Sequence, residues 1–189
     1  MNRDTIVIDI ETKNSFADVG GQEHLRDLDI SFVGAYSYNQ KAYLSFFENQ
    51  LAELDKLLKN SGLVIGFSIN RFDIPILNKY CSFDLFTTPR FDILEEIEIG
   101  LGQRVSLDIL AKTNLGVGKT SHGLEAIRFY REGDLESLKN YCLNDVKITK
   151  DLYELAKKQS HLMVPKKFTG EMVKVPFNIQ SQVVQATLI

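Results

Sequence analysis

Cysteine is scarce: Cys81 and Cys142 are the only two in 189 residues, and no CxxC spacing joins them. A disulfide framework is therefore excluded, and both read as reduced thiols packed inside the fold. The three histidines, His24, His122 and His161, lack zinc-ligand spacing and have no cysteine partner, so no zinc site is expected. No apolar run approaches the roughly eighteen residues of a membrane-spanning helix, and no apolar signal region follows Met1-Asn2-Arg3-Asp4. The expected compartment is the cytoplasm, with no membrane contact. Nor is there a basic excess, since 22 Lys and Arg stand against 25 Asp and Glu for a net charge of −3. That balance argues against a protein that coats nucleic acid through a broad basic face. It leaves nucleic acid open as a substrate, because an acidic site loses part of its charge when it recruits divalent cations. Internal repeats and low-complexity tracts are absent too.

What is present is organised around Thr5-Ile6-Val7-Ile8-Asp9-Ile10-Glu11-Thr12. A continuous Ile/Val run is the mark of a strand buried on both faces, and so of a central strand in an α/β sheet. Alternation sends Asp9 and Glu11 to one side of its carboxyl end. Two like charges there repel and lose hydration, so either one is protonated or they hold a cation. Asp134-Leu-Glu136 repeats the pattern as an ordinary solvated helix start, so the spacing alone does not decide.

The polar stretch 13–29 is long for a strand connection, with a helical turn expected around His24 to Leu28. Residues 30–38 and 41–47 alternate as hairpin strands about Asn39-Gln40. An amphipathic helix over 51–58 and a buried strand over 63–66 follow. Asp73-Ile-Pro75 opens another helix, with proline in the first turn where its missing N–H costs nothing. A weak strand at 89–93 precedes helices at 94–101, 106–114 and 124–130, and a long one runs from an Asp134 cap to about Lys158. The expected fold class is α/β, a mixed sheet covered by helices. Residues 1–158 form the expected domain. Residues 159–189, with Pro165, Pro176 and a strand-like Glu171 to Val175, form an extension.

Two further acidic positions draw notice. Asp73 follows Gly66-Phe67-Ser68-Ile69-Asn70-Arg71-Phe72, a strand leaving through a loop into a helix. It reads either as a helix cap or as a site residue, because ligands gather at the carboxyl ends of parallel strands. Asp145 lies in the stripe Leu138, Tyr141, Cys142, Asp145, Ile148, Thr149, Leu152, Leu155, one face of a 3.6-residue period. A carboxylate on such a face needs a partner, either an arginine or a metal ion. Gly116-Val-Gly118-Lys119-Thr120 is not a phosphate-binding loop, since Thr113 stands where the motif requires glycine and a helix precedes it.

Asp9-x-Glu11, Asn70-x-x-Asp73 and Tyr141-x-x-x-Asp145, in this order, resemble the DEDD exonucleases of the ribonuclease H-like superfamily in their tyrosine variant (DEDDy). The likeness covers roughly residues 5–155. Ile-Asp-Ile-Glu-Thr, Phe72-Asp73-Ile-Pro75 and Tyr141-Cys-x-x-Asp145 look most like the exonuclease domain of family B DNA polymerases and its stand-alone relatives. Ser106-Leu-Asp-Ile-Leu-Ala, Leu115-Gly116 and Lys119 fall where such sequences carry similar words. The resemblance implies a five-stranded mixed sheet, three antiparallel strands first, with helices on both faces. It implies a 3′–5′ exonuclease acting on single-stranded or frayed nucleic acid, DNA in preference to RNA, alone or with a partner protein in trans. Two Mg²⁺ or Mn²⁺ ions about 3.5 to 4 Å apart would be held by Asp9, Glu11, Asp73 and Asp145, with Asp9 bridging both. Tyr141 would orient the attacking water, because a phenol of pKa near 10 is a poor base at neutral pH. Ile10, Thr12, Asn70, Phe72 and Lys119 are the implied substrate contacts. Asn70 reads equally as a loop cap, Phe72 as core, Lys119 as a solvated loop residue, and Asp92 as either a supporting acid or a plain cap. An RNA exonuclease, an endonuclease and a silent nucleic-acid-binding module are the alternative activities.

Overall fold

The structure, a computed structural model, describes residues 3–118 and 124–179. In chain order the elements are β1 (Asp4–Thr12), α1 (Phe16–Val19), β2 (Ile30–Ser37), β3 (Ala42–Phe47), α2 (Leu51–Lys59), β4 (Ser61–Gly66), α3 (Asp73–Leu77), β5 (Arg90–Asp92), α4 (Ile93–Leu101), α5 (Leu107–Leu115), α6 (Leu124–Glu132), α7 (Leu135–Gln159), β6 (His161–Pro165) and β7 (Met172–Pro176). The main sheet has the order β3-β2-β1-β4-β5, with β1, β2 and β3 antiparallel and β4 and β5 parallel to β1. The Ile/Val-rich strand is thus the middle one, and the sheet has the mixed five-stranded order expected. The 13–29 stretch holds α1 and a 3-10 turn at Gln22–Asp27.

Strand alternation divides the core in two. Ile6, Ile8 and Ile10 point to the face covered by α2 and α3, where they meet Leu54, Leu58, Ile74 and Leu77. Val7, Ile65 and Phe91 point to the other face and meet Val146, Leu152 and Tyr153 of α7. Asp9 and Glu11 share the parity of Val7, so the strand aims both carboxylates toward the α7 side.

Helix α7 is long because its sequence keeps an apolar stripe for 25 residues and closes both ends. Asp134 caps it by accepting from the Ser137 N–H at 3.1 Å, and Ser160 ends it in the left-handed region at φ 62°. Its close seat on β2 requires Gly34, which pairs in register with Asp9. A Cβ at position 34 would stand 3.0 Å from Cys142 Sγ and 3.0 Å from Val146 Cγ2, tighter than normal packing. Among the described residues no helix is long and apolar enough to cross a membrane.

Strand β6 was not anticipated from the sequence. Only Ser160 separates it from α7, and no glycine or proline precedes it to mark where the helix stops and a strand starts. It pairs antiparallel with β7, and Leu162 and Val164, both fully buried, join the core cluster that contains Val7. Leu162→Ala should therefore cost about 2 to 5 kcal/mol in urea unfolding. A loss within about 0.5 kcal/mol, the range of a surface change, would show that the hairpin lies outside the cooperative unit.

Candidate active site

The carboxyl end of β1 carries two acids that the alternation brings together. Ligand atoms of Asp9, Glu11 and Cys142 lie within 4.8 Å of one another, and Glu11 is 9% exposed. The Cys142 Sγ, reaching down from α7, sits 3.3 Å from Asp9 Oδ2 and 3.3 Å from the Asp9 carbonyl oxygen. Burial first, then the charges of Asp9 and Glu11, push this thiol well above its usual range. It is accordingly a hydrogen-bond donor to the carboxylate at neutral pH. Packing was the role its sequence position suggested; contact with Asp9 comes from tertiary placement.

Asp73 arrives from the next parallel strand. It is the first residue of α3, and its Oδ1 accepts from the Ile10 N–H at 3.2 Å. The backbone amide between the two β1 acids thus draws a third carboxylate to the same strand end. Burial, then the charges of Asp9 and Asp92, raise Asp73 well above the ordinary carboxylate range.

The loop before α3 is held from below by Asp92. Its carboxylate accepts from the Ser68 N–H at 2.8 Å, the Asn70 N–H at 3.0 Å and the Leu94 N–H at 3.0 Å, so one side chain both caps α4 and clamps the loop. Ser68 needs that clamp, because its φ of 68° is a left-handed conformation costing roughly 1 kcal/mol or more without a glycine. The Asn70 side chain is engaged by the same framework. Its Oδ1 accepts from Arg90 Nε at 2.9 Å, and its Nδ2 donates to Glu95 Oε2 at 2.5 Å.

On α7, Tyr141 and Asp145 are buried on one face, at 7% and 3% exposure, and this helix packs across β1 and β2. Asp145 lies three residues past Cys142, which touches Asp9, and so on the side of the helix facing the strand end. The Tyr141 ring stands edge-on to Phe129 at 6.5 Å between centroids.

Beside Glu11 a cleft of about 520 Å³ opens, walled by Ile10, Thr12, Phe16, Leu28, Phe72 and Ile127 among others. Phe72 is fixed there by an edge-on contact with Phe16 at 6.0 Å. Of the substrate contacts expected from sequence, Ile10, Thr12 and Phe72 line this cleft, Asn70 faces Arg90 and Glu95, and Lys119 lies outside the described residues. Phe16, Leu28 and Ile127 were missed, and the one sequence signal for the first two was the excess length of the 13–29 connection.

The donor chemistry fits a hard divalent cation. Asp9, Glu11 and Asp73 offer carboxylate oxygens, the ligands of Mg²⁺ and Mn²⁺, and the burial and neighbouring charges that raise Asp73 are what a bound cation offsets.

Residues 6–157 match the sequence family described as the RNase H superfamily. No curated protein matches the chain in sequence. Among solved structures, product-bound exonuclease I is 13% identical with a TM-score of 0.55, over 84% of this chain and 44% of that one. An SSB/exonuclease I complex with the inhibitor CFAM is 13% identical with a TM-score of 0.56, over 84% and 42%. E. coli exonuclease I with a 5cy-dT13 oligonucleotide is 11% identical with a TM-score of 0.50, over 84% and 41%. The chain thus spans less than half the length of these structures, and at such identities the likeness is one of fold.

Because Asp73 is raised in the folded protein, the native state binds its proton more tightly than the unfolded chain does. Its effect on stability is therefore unfavourable at neutral pH and is relieved as pH falls toward the ordinary value of 3.8. In EDTA, Asp73→Asn should raise the melting temperature at pH 7.5, and the gain should shrink as pH is lowered toward 4. A destabilised Asp73→Asn variant at pH 7.5 would show that burial and neighbouring charge do not disfavour the carboxylate there, since asparagine keeps an acceptor for the Ile10 N–H.

Proposed function

The chain belongs to the RNase H superfamily, and we propose that within it the protein is a divalent-metal-dependent 3′–5′ exonuclease that hydrolyses the terminal phosphodiester of single-stranded or frayed DNA. The observation that carries this reading is the convergence of Asp9, Glu11 and Asp73 on one strand end beside an apolar cleft. Buried like charges are costly, and a fold that gathers them gains most where a cation neutralises them. Support for a terminal cut comes from the cleft, whose volume of about 520 Å³ is that of a small-molecule pocket, with room for the end of a strand and not for a duplex. DNA is favoured by the likeness of the three motifs to family B exonuclease domains. The fold shared with an exonuclease I solved on a dT oligonucleotide is consistent with it.

In this reading Asp9, Glu11, Asp73 and Asp145 hold two Mg²⁺ or Mn²⁺ ions. Divalent ions held by these carboxylates would supply the chemistry of an activated water at neutral pH and of charge neutralisation at the departing 3′ oxygen. The protein's own side chains do the rest. Phe72 and Ile10 receive the terminal base against apolar surface, and Phe16 holds Phe72 in its stacking orientation. Thr12 closes the cleft next to Glu11, its hydroxyl donating to the Asn14 carbonyl oxygen at 2.8 Å. Tyr141, one helical turn before Asp145, donates a hydrogen bond that orients the attacking water.

On 5′-labelled single-stranded DNA with Mn²⁺ or Mg²⁺, products should shorten progressively from the 3′ end, and Asp9→Ala should abolish them. Tyr141→Phe should slow single-turnover cleavage about thirty- to a thousandfold, the loss of roughly 2 to 4 kcal/mol of transition-state stabilisation. Internal cuts appearing first would replace the exonuclease reading with an endonuclease. Cleavage of RNA alone would replace DNA as the substrate.

A further inference from the structure

Cys142 has no task in the mechanism above, yet its surroundings are constructed around it. The thiol contacts Asp9 twice, at Oδ2 and at the carbonyl oxygen, each 3.3 Å away. The helix that carries it reaches this depth over Gly34, the residue of β2 paired with Asp9, and any side chain there would push against Cys142 Sγ, Val146 and Leu143 at 3.0 to 3.2 Å. A glycine on the strand and a thiol on the helix therefore meet beside Asp9, and the thiol reaches its carboxylate. An S–H is a weak donor in water. In a buried site an ionised acceptor makes the bond worth more, and it selects one orientation of the acid.

We propose that Cys142 is a positioning residue that donates its S–H to Asp9 Oδ2, fixing the orientation in which Asp9 meets a divalent cation, and that Gly34 is the space-making partner of this contact. The proposal rests on the reading of Asp9 and Glu11 as cation ligands. It assigns Cys142 to the support of a ligand and not to the ligand set, because hard Mg²⁺ and Mn²⁺ prefer oxygen and a thiol already occupied with Asp9 need not give up its proton.

Calorimetric titration of the metal-free protein with Mn²⁺ separates the roles without reference to turnover. Cys142→Ala should weaken Mn²⁺ binding by about ten- to a hundredfold, the range for loss of a ligand's hydrogen-bond partner. Cys142→Ser, which keeps a donor at the same position, should recover most of that loss. Gly34→Ala should weaken binding in the wild-type background and do so less in the Cys142→Ala background, where the Sγ it collides with is gone. Melting in EDTA checks that each variant is folded at the temperature of titration. Wild-type Mn²⁺ affinity in Cys142→Ala would overturn the proposal in favour of packing. An equal loss in Cys142→Ser and Cys142→Ala would overturn it too. So would a thiolate-to-cobalt charge-transfer band in the Co²⁺-loaded wild type that disappears in Cys142→Ser, since Cys142 would then be a ligand. Failure of the wild type to bind Mn²⁺ at all is a separate result, and it removes the cation reading of Asp9 and Glu11 together with this one.

Discussion

The burial of acidic groups beside one another under a helix is the constraint on which the rest of this molecule depends. Asp9 and Glu11 leave the central strand on the face that α7 covers, and Asp73 is bound to the amide between them. Each acid would be stable if exposed. Here burial is heavy enough to lift Asp73 well above its ordinary range, and the charge of Asp9 adds to the lift. The structure therefore holds an unfavourable electrostatic arrangement in place by favourable packing elsewhere, chiefly the Val7, Ile65 and Phe91 layer against α7. In that division of labour a rigid apolar core supports a polar end that is costly to bury.

Two supports keep the arrangement from relaxing. Asp92 ties the Ser68 to Asn70 backbone to the start of α4, which fixes the approach of Asp73 from its own strand. Gly34 lets α7 descend until Cys142 touches Asp9, which fixes the approach from the opposite layer. Both act on where the acids stand: Asp92 accepts from four backbone N–H groups, and Gly34 pairs in register with Asp9.

Much of the fold was legible in the sequence because periodicity reports burial directly. The run Ile6 to Ile10 announced a strand covered on both faces, and the stripe from Leu138 to Leu155 announced α7 to its last turn. Strand β6 escaped because it follows α7 after Ser160 alone, with no glycine or proline to mark the break. For the site, the local signals were a pair of acids on one strand and acids at helix starts or in an apolar face, all of which the residues themselves supplied. What the sequence could not express is distance across layers. Asp92 as a clamp, Cys142 against Asp9, and Phe16, Leu28 and Ile127 as walls of the cleft all arise between segments far apart in the chain. No local pattern encodes such pairings.

The central claim is that the gathered carboxylates constitute a cation site. Anomalous diffraction from crystals soaked in Mn²⁺ tests it most directly. The account predicts strong anomalous peaks within ligand distance of Asp9, bounded by Glu11 and Asp145 on one side and by Asp73 on the other. The absence of any peak against Asp9 at millimolar Mn²⁺, with the four carboxylates ordered, would contradict it.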